Sequence, residues 1–169
     1  MKKIVTILFI CLGIFLIFTG CSKNEEQISA PSQALTMGNP WKSHETMKEA
    51  EEAVGFSFDL SETVMDGYEA VTFRTMNGEL MEVLYQKGDY EVCVRKKKGE
   101  GEDISGDYNR YDTSSETKEK GAANIYYQNE KTPGQRYVIS YQGFSWSLVA
   151  PNGYPQGEDS SFVDLILSK

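Results

Sequence analysis

Two glycine turns constrain this 169-residue chain more than any other feature. Asn77-Gly78 and Gln142-Gly143 each stand between runs rich in β-branched and aromatic residues, and such pairs tolerate the positive φ that a two-residue hairpin loop needs. If Gln142-Gly143 is the whole loop, Tyr141 pairs with Phe144, Ile139 with Trp146 and Tyr137 with Leu148. The reverse face then carries Ser140 opposite Ser145 and Val138 opposite Ser147. This alternation predicts an antiparallel sheet with one apolar face and one wet face. Around Asn77-Gly78, residues 67–76 and 79–86 read as strands, and a turn at Gly88-Asp89 leads into a third over 90–96. Tyr85 then faces Val92 and Val83 faces Val94, with Ala70 and Thr72 extending that face. The other pairs are Leu84 with Cys93 and Glu82 with Arg95, the latter a cross-strand ion pair. Residues 123–128 read as a further strand.

Helical periodicity occurs at both ends of this strand-rich region. Thr46 and Glu49 form a capping box, and Met47, Ala50 and Val54 fall on one helical face. Lys48, Glu49, Glu51 and Glu52 lie on the solvated side, and Gly55 is a C-terminal stop. Near the end, Asp159 or Ser160 can cap a helix with Phe162, Val163, Leu165 and Ile166 as its apolar face. The expected fold is α+β: an antiparallel meander with a short N-terminal helix and a C-terminal helix packed on it.

The first residues carry an address. Lys2 and Lys3 precede an uncharged, almost wholly apolar run over 4–18. Such a helix rises about 22 Å, short of a roughly 30 Å hydrocarbon core, and small residues follow it. That pattern describes an export signal, with everything after it on the far side of the membrane. The run ends Phe18-Thr19-Gly20-Cys21, which resembles the lipobox of bacterial lipoproteins, with Phe18 where that family usually has Leu. The resemblance implies cleavage after Gly20 and lipid attachment at Cys21, and two or more acyl chains suffice for stable anchoring. Residues 1–20 would then be the signal, 21–38 the lipidated cysteine with a polar tether, and 39–169 one extracytoplasmic domain. A flexible tether of this length spans roughly 20–25 Å.

Composition narrows the chemistry of that domain. Without Lys2 and Lys3 the chain keeps 15 basic and 25 acidic groups, a net of −10, which argues against nucleic acid as a partner. Cys11 lies in the signal and Cys21 takes the lipid, so Cys93 stands alone, and no internal disulfide is available. Opposite Leu84, Cys93 reads as a small core hydrophobe. His44, the only histidine, reads as a surface or capping residue. One His and one Cys do not make a structural zinc site, so no metal and no cofactor is expected.

The most unusual stretch runs from Arg95 to Asn109. Asp103, Ser105, Asp107 and Asn109 alternate like the oxygen ligands that open a calcium loop, but glycine comes at the fourth place and Ser114 stands at the twelfth. The simpler reading is a charged loop whose Asp, Ser and Asn side chains bond their own backbone. Together with Tyr108, these four residues form the candidate binding loop. Lys96 to Lys98 is too short and too balanced by Glu100, Glu102 and Asp103 for a nucleic-acid patch. Tyr126, Tyr127, Tyr137, Tyr141, Phe144, Trp146 and Tyr154 read mainly as sheet core, with Tyr127 and Tyr154 the expected exposed members.

Asn39-Pro40-Trp41, Glu49-Ala50, Val54-Gly55-Phe56, Gly67-Tyr68 and Val83 to Tyr85 occur in this order, with Arg95-Lys96 and the segment from Asp103 to Asn109 after them. Over residues 39–169 this resembles an uncharacterised extracytoplasmic domain family, found mainly in Gram-positive lipoproteins and as the outer part of anti-sigma regulators. The resemblance implies location and carries no catalytic residue. Two functions are therefore expected. The first is a membrane-anchored, non-enzymatic binding or sensing module for an envelope protein, peptide or glycan. The second is an envelope hydrolase using Asp103 and Asp107 as an acid–base pair.

Overall fold

The computed structural model describes residues 38–65, 67–128, 133–154 and 161–169. Gly20, Cys21, the tether to Met37 and the capping residues Asp159 and Ser160 lie outside the described residues. Within them the chain runs through β1 (Trp41–His44), α1 (Met47–Val54), β2 (Thr63–Val64), β3 (Tyr68–Met76), β4 (Leu80–Lys87) and β5 (Tyr90–Lys98). It continues through β6 (Thr113–Glu119), β7 (Ala122–Gln128), β8 (Gln135–Tyr141), β9 (Phe144–Ala150) and α2 (Ser161–Leu167). All nine strands belong to one sheet in the order β1-β3-β4-β5-β9-β8-β7-β6, with β2 paired to β3 and every described pairing antiparallel. The architecture is α+β.

Local chemistry accounts for α1. Thr46 accepts the Glu49 N–H at 3.2 Å, and Gly55, with φ of 70°, donates to Glu51 O at 2.8 Å. Its apolar side, Met47, Ala50 and Val54, is buried against the sheet. The β4–β5 and β8–β9 hairpins keep the expected register. Tyr141 opposes Phe144 and Ile139 opposes Trp146; Tyr85 opposes Val92 and Glu82 opposes Arg95.

The Asn77-Gly78 hairpin differs. Met76 opposes Leu80, so the loop takes three residues, and Phe73 rather than Thr72 faces Val83. A bulge between Ala70 and Thr72 absorbs the extra residue and returns Ala70 opposite Tyr85. Three strands are also unanticipated. β2 has two residues, β1 has only four, and β6 is polar and exposed throughout, so none shows the apolar alternation that marks a half-buried strand.

One face of the sheet is apolar and carries the helices. Val83, Tyr85, Val92, Val94, Ile139 and Leu148 are fully buried there. Phe162 of α2 meets the rings of Tyr68 and Tyr85 edge-on, with centroids 5.2 and 5.7 Å away. The Tyr85 hydroxyl donates to Ser61 O at 2.9 Å, and burial pushes its pKa up. Phe162→Ala should therefore cost about 3–5 kcal/mol in urea denaturation. Val71→Ser, at the half-exposed bulge, should change stability by less than about 0.5 kcal/mol. Equal losses from the two would contradict this division of faces.

Candidate functional site

The second face is polar, yet it is covered. β5 ends at Lys98 in the middle of the sheet, and β6 begins at Thr113 on its far edge, beyond β9, β8 and β7. The connecting residues 99–112 must therefore cross three strands, and they do so as a strap over the polar face. Gly99 N–H reaches Gly143 O at 2.8 Å, Gly101 N–H reaches Ser140 Oγ at 2.9 Å, and Glu102 N–H reaches Ser145 Oγ at 3.1 Å. Farther along, Arg95 Nη1 donates to Ile104 O at 3.0 Å and Ser105 O at 2.5 Å. Arg136 Nη1 donates to Asp107 O at 2.7 Å. The face expected to be wet is consequently buried at Ser145 and Ser147, and Glu82 is only 1% exposed.

Beneath the strap lies a charge cluster. Glu82 Oε1 accepts Arg74 Nε at 2.7 Å, and its Oε2 accepts Arg95 Nε at 2.8 Å. The Trp41 ring lies 5.0 and 5.1 Å from those two guanidinium carbons. A buried carboxylate is tolerated only when paired, and here it is paired twice. Arg95 thus holds Glu82 with one nitrogen and the strap with another.

The strap's own sequence sets its shape. Asp103 Oδ1 accepts Ser105 N–H at 3.0 Å, Ser105 Oγ accepts Asp107 N–H at 3.2 Å, and Asp107 Oδ1 accepts Asn109 N–H at 3.0 Å. The alternating oxygens bond the backbone two residues on, in consecutive side-chain-closed turns. Asp107 also accepts the Tyr111 hydroxyl, whose pKa is raised by burial and then by that carboxylate. Gly106 has φ of +59°, and a Cβ there would run into the Arg95 guanidinium.

The candidate residues are therefore sorted by depth. Ser105 is buried, Asp107 is half-buried, Asp103 and Asn109 are exposed, and Tyr108 is 96% exposed. A cleft of about 420 Å³ separates this part of the strap from the β3–β4 turn. Met76, Leu80 and Ile104 supply apolar lining, Arg95 and Lys97 positive charge, and Glu79, Glu102 and Asp103 negative charge. A second hollow of about 350 Å³ lies beside Tyr111, Tyr127 and Arg136, with the Arg136 guanidinium 4.2 Å from the Tyr127 ring centre.

Other sequence candidates lie elsewhere. His44 Nε2 is 2.9 Å from Thr75 Oγ1, a bond between β1 and β3. Cys93 opposes Leu84, and burial, followed by the charge of Glu82, pushes its thiol up to about 12. The basic run is divided. Lys97 pairs with Glu102 at 2.7 Å, and Lys98 donates to Gly55 O at 3.1 Å. Lys96, like Lys98, points to the face opposite Lys97, and it is buried against Phe144 and Trp146 at 4.1 and 4.5 Å, where it holds Asp59 and Ser57 O. Burial lowers its pKa and Asp59 opposes that shift. Of the aromatic set, Tyr137 and Trp146 are buried; Tyr126, Tyr127, Tyr141, Phe144 and Tyr154 are half-buried.

Sequence reasoning missed Arg136, Trp41 and Tyr111. A charge on the polar side of a strand reads as solvated, and only the crossing of the strap gives Arg136 a backbone carbonyl to bind. No family model, curated protein or solved structure matches the chain.

Glu82→Gln leaves two guanidinium groups around a neutral amide and should cost about 3–5 kcal/mol in chemical denaturation. Gly106→Ala should cost more than about 1 kcal/mol through its positive φ and the contact with Arg95. Asn109→Ala should stay within about 0.5 kcal/mol. Parent-like stability of Glu82→Gln would contradict the anchoring role of the cluster.

Proposed function

We propose that this chain is a membrane-anchored extracytoplasmic lipoprotein whose folded part is a non-enzymatic binding or sensing module of the cell envelope. Lipid on Cys21 is the anchor, and residues after it are the tether. The net charge of −10 on the mature chain repels an anionic bilayer and keeps the domain off its surface.

The observation that carries the binding role is the cleft with Tyr108 on its rim. The Tyr108 side chain is 96% exposed, while the strap that presents it is tied to Arg95 and Arg136. An aromatic anchor on a preorganised segment loses little conformational freedom when it binds. The cleft's apolar lining and its two signs of charge suit a peptide segment or glycan of the envelope. The carboxylates favour binding over acid–base chemistry. Asp103 accepts a backbone N–H and lies 3.5 Å from Arg136 Nη1, and Asp107 accepts a backbone N–H and a phenol. Both carboxylates are thus engaged in closing the strap's own turns, whereas an acid–base pair needs side chains placed to reach a substrate.

Mass spectrometry of the membrane-extracted protein should find an acylated Cys21 as the first residue and no Met1. Recovery of Lys2 in the mature chain would overturn the anchor. A photoreactive residue at position 108 should crosslink an envelope component in cells. Tyr108→Ala should lower capture by about tenfold and move the thermal midpoint by less than about 2 °C. Unchanged capture would remove Tyr108 from the binding surface.

A further inference from the structure

The far edge of the sheet has the properties of a joining surface. β6 pairs with β7 along its whole length, from Thr113 opposite Gln128 to Glu119 opposite Ala122. Among the described residues no strand pairs with its other side, and all seven of its residues are exposed. The opposite edge strand, β1, has four residues and leads directly into α1. β6 is thus the longer free edge, and it carries no proline and no bulge.

Its backbone geometry follows from the turn. Lys120 and Gly121, at φ of 50° and 83°, form a two-residue loop that closes on the pair Glu119–Ala122. Hydrogen-bonded pairs alternate along an antiparallel ladder, so Glu119, Thr117 and Ser115 turn their N–H and C=O groups toward β7. Lys118, Glu116 and Ser114 turn theirs outward, free to join another strand.

The charges on those outward residues select the partner and the register. We propose that two copies of this chain join edge to edge through β6, antiparallel, about a two-fold axis at Thr117. Glu116 of each copy then opposes Lys118 of the other, giving two reciprocal ion pairs on one face of a continuous sheet. Sliding by one hydrogen-bonding step sets Glu116 against its own copy. Sliding the other way sets Lys118 against its own. Like charges disfavour both, so the sequence Glu116-Thr117-Lys118 is self-complementary in one register only. Neither side chain has an ion-pair partner within the chain among the described residues. A single seven-residue edge is a small interface, so the association is reversible and is best trapped covalently. It does not depend on what binds at the strap.

The test uses the full chain in its native membrane, with Cys93→Ser to remove the half-buried thiol. Single cysteines are introduced at Ser115, Glu116, Thr117 and Lys118, and the membranes are treated with a mild oxidant. Thr117→Cys should give the strongest covalent dimer. At the axis its side chain meets its own copy in a non-hydrogen-bonded pair, with Cα atoms about 4.5 Å apart, within reach of a disulfide. On the Thr117→Cys background, Glu116→Lys or Lys118→Glu alone should lower dimer yield about fivefold, and the two together should restore it. All these positions are exposed, so folding is not at stake. A maximum at another position, uniform yields, no dimer, crosslinks only to other proteins, or failure of the double exchange to restore yield would each overturn the proposal.

Discussion

The connection from β5 to β6 is the constraint on which the rest of this structure depends. Because β9 takes the place beside β5, the chain must leave the centre of the sheet and reach its far edge before the β6–β9 meander can begin. A segment crossing three strands cannot leave its peptide groups unsatisfied against a covered surface. Serines on β8 and β9 accept the N–H groups of Gly101 and Glu102, and arginines on β5 and β8 donate to its carbonyls. The polar face is therefore built to receive backbone rather than water.

This arrangement makes the two faces physically different layers. On one, helices α1 and α2 exclude water by apolar packing. On the other, Glu82 stands between Arg74 and Arg95 under the Trp41 ring, and the cost of burying its charge is offset by two guanidinium partners. Trp41 is also the first residue of β1, so the start of the sheet lies against the same cluster that holds the strap. Lys96 is the counterpart on the apolar side. Its ammonium group is sheltered by aromatic rings and neutralised by Asp59.

Much of the fold was legible, and the reasons are local. A side-chain period of two with glycine turns predicts the β4–β5 and β8–β9 registers, and Thr46, Glu49 and Gly55 predict the ends of α1. The β3 register was misread because a three-residue loop and a bulge offset one another, and neither leaves a composition signal. β6 was invisible because a strand exposed on both faces has no apolar alternation to detect. At the candidate site, the turn-forming role of Asp103, Ser105 and Asp107 was readable from spacing alone. That Ser105 would be buried and Tyr108 left in solvent was not, since both depend on what the strap crosses.

By itself, then, the sequence determined the α+β class, the β4–β5 and β8–β9 hairpins with their two-residue loops, and the identity of the side chains that close the strap's turns. All of these follow from interactions among residues close along the chain. Only the tertiary structure decided that the serine and arginine side of the sheet is an interior. That outcome rests on β9 pairing with β5, from Cys93 opposite Val149 to Lys98 opposite Phe144, a long-range contact that forces the intervening chain across the face. Alternation separates one side of a strand from the other. Which side meets water is settled by what the rest of the chain lays over it.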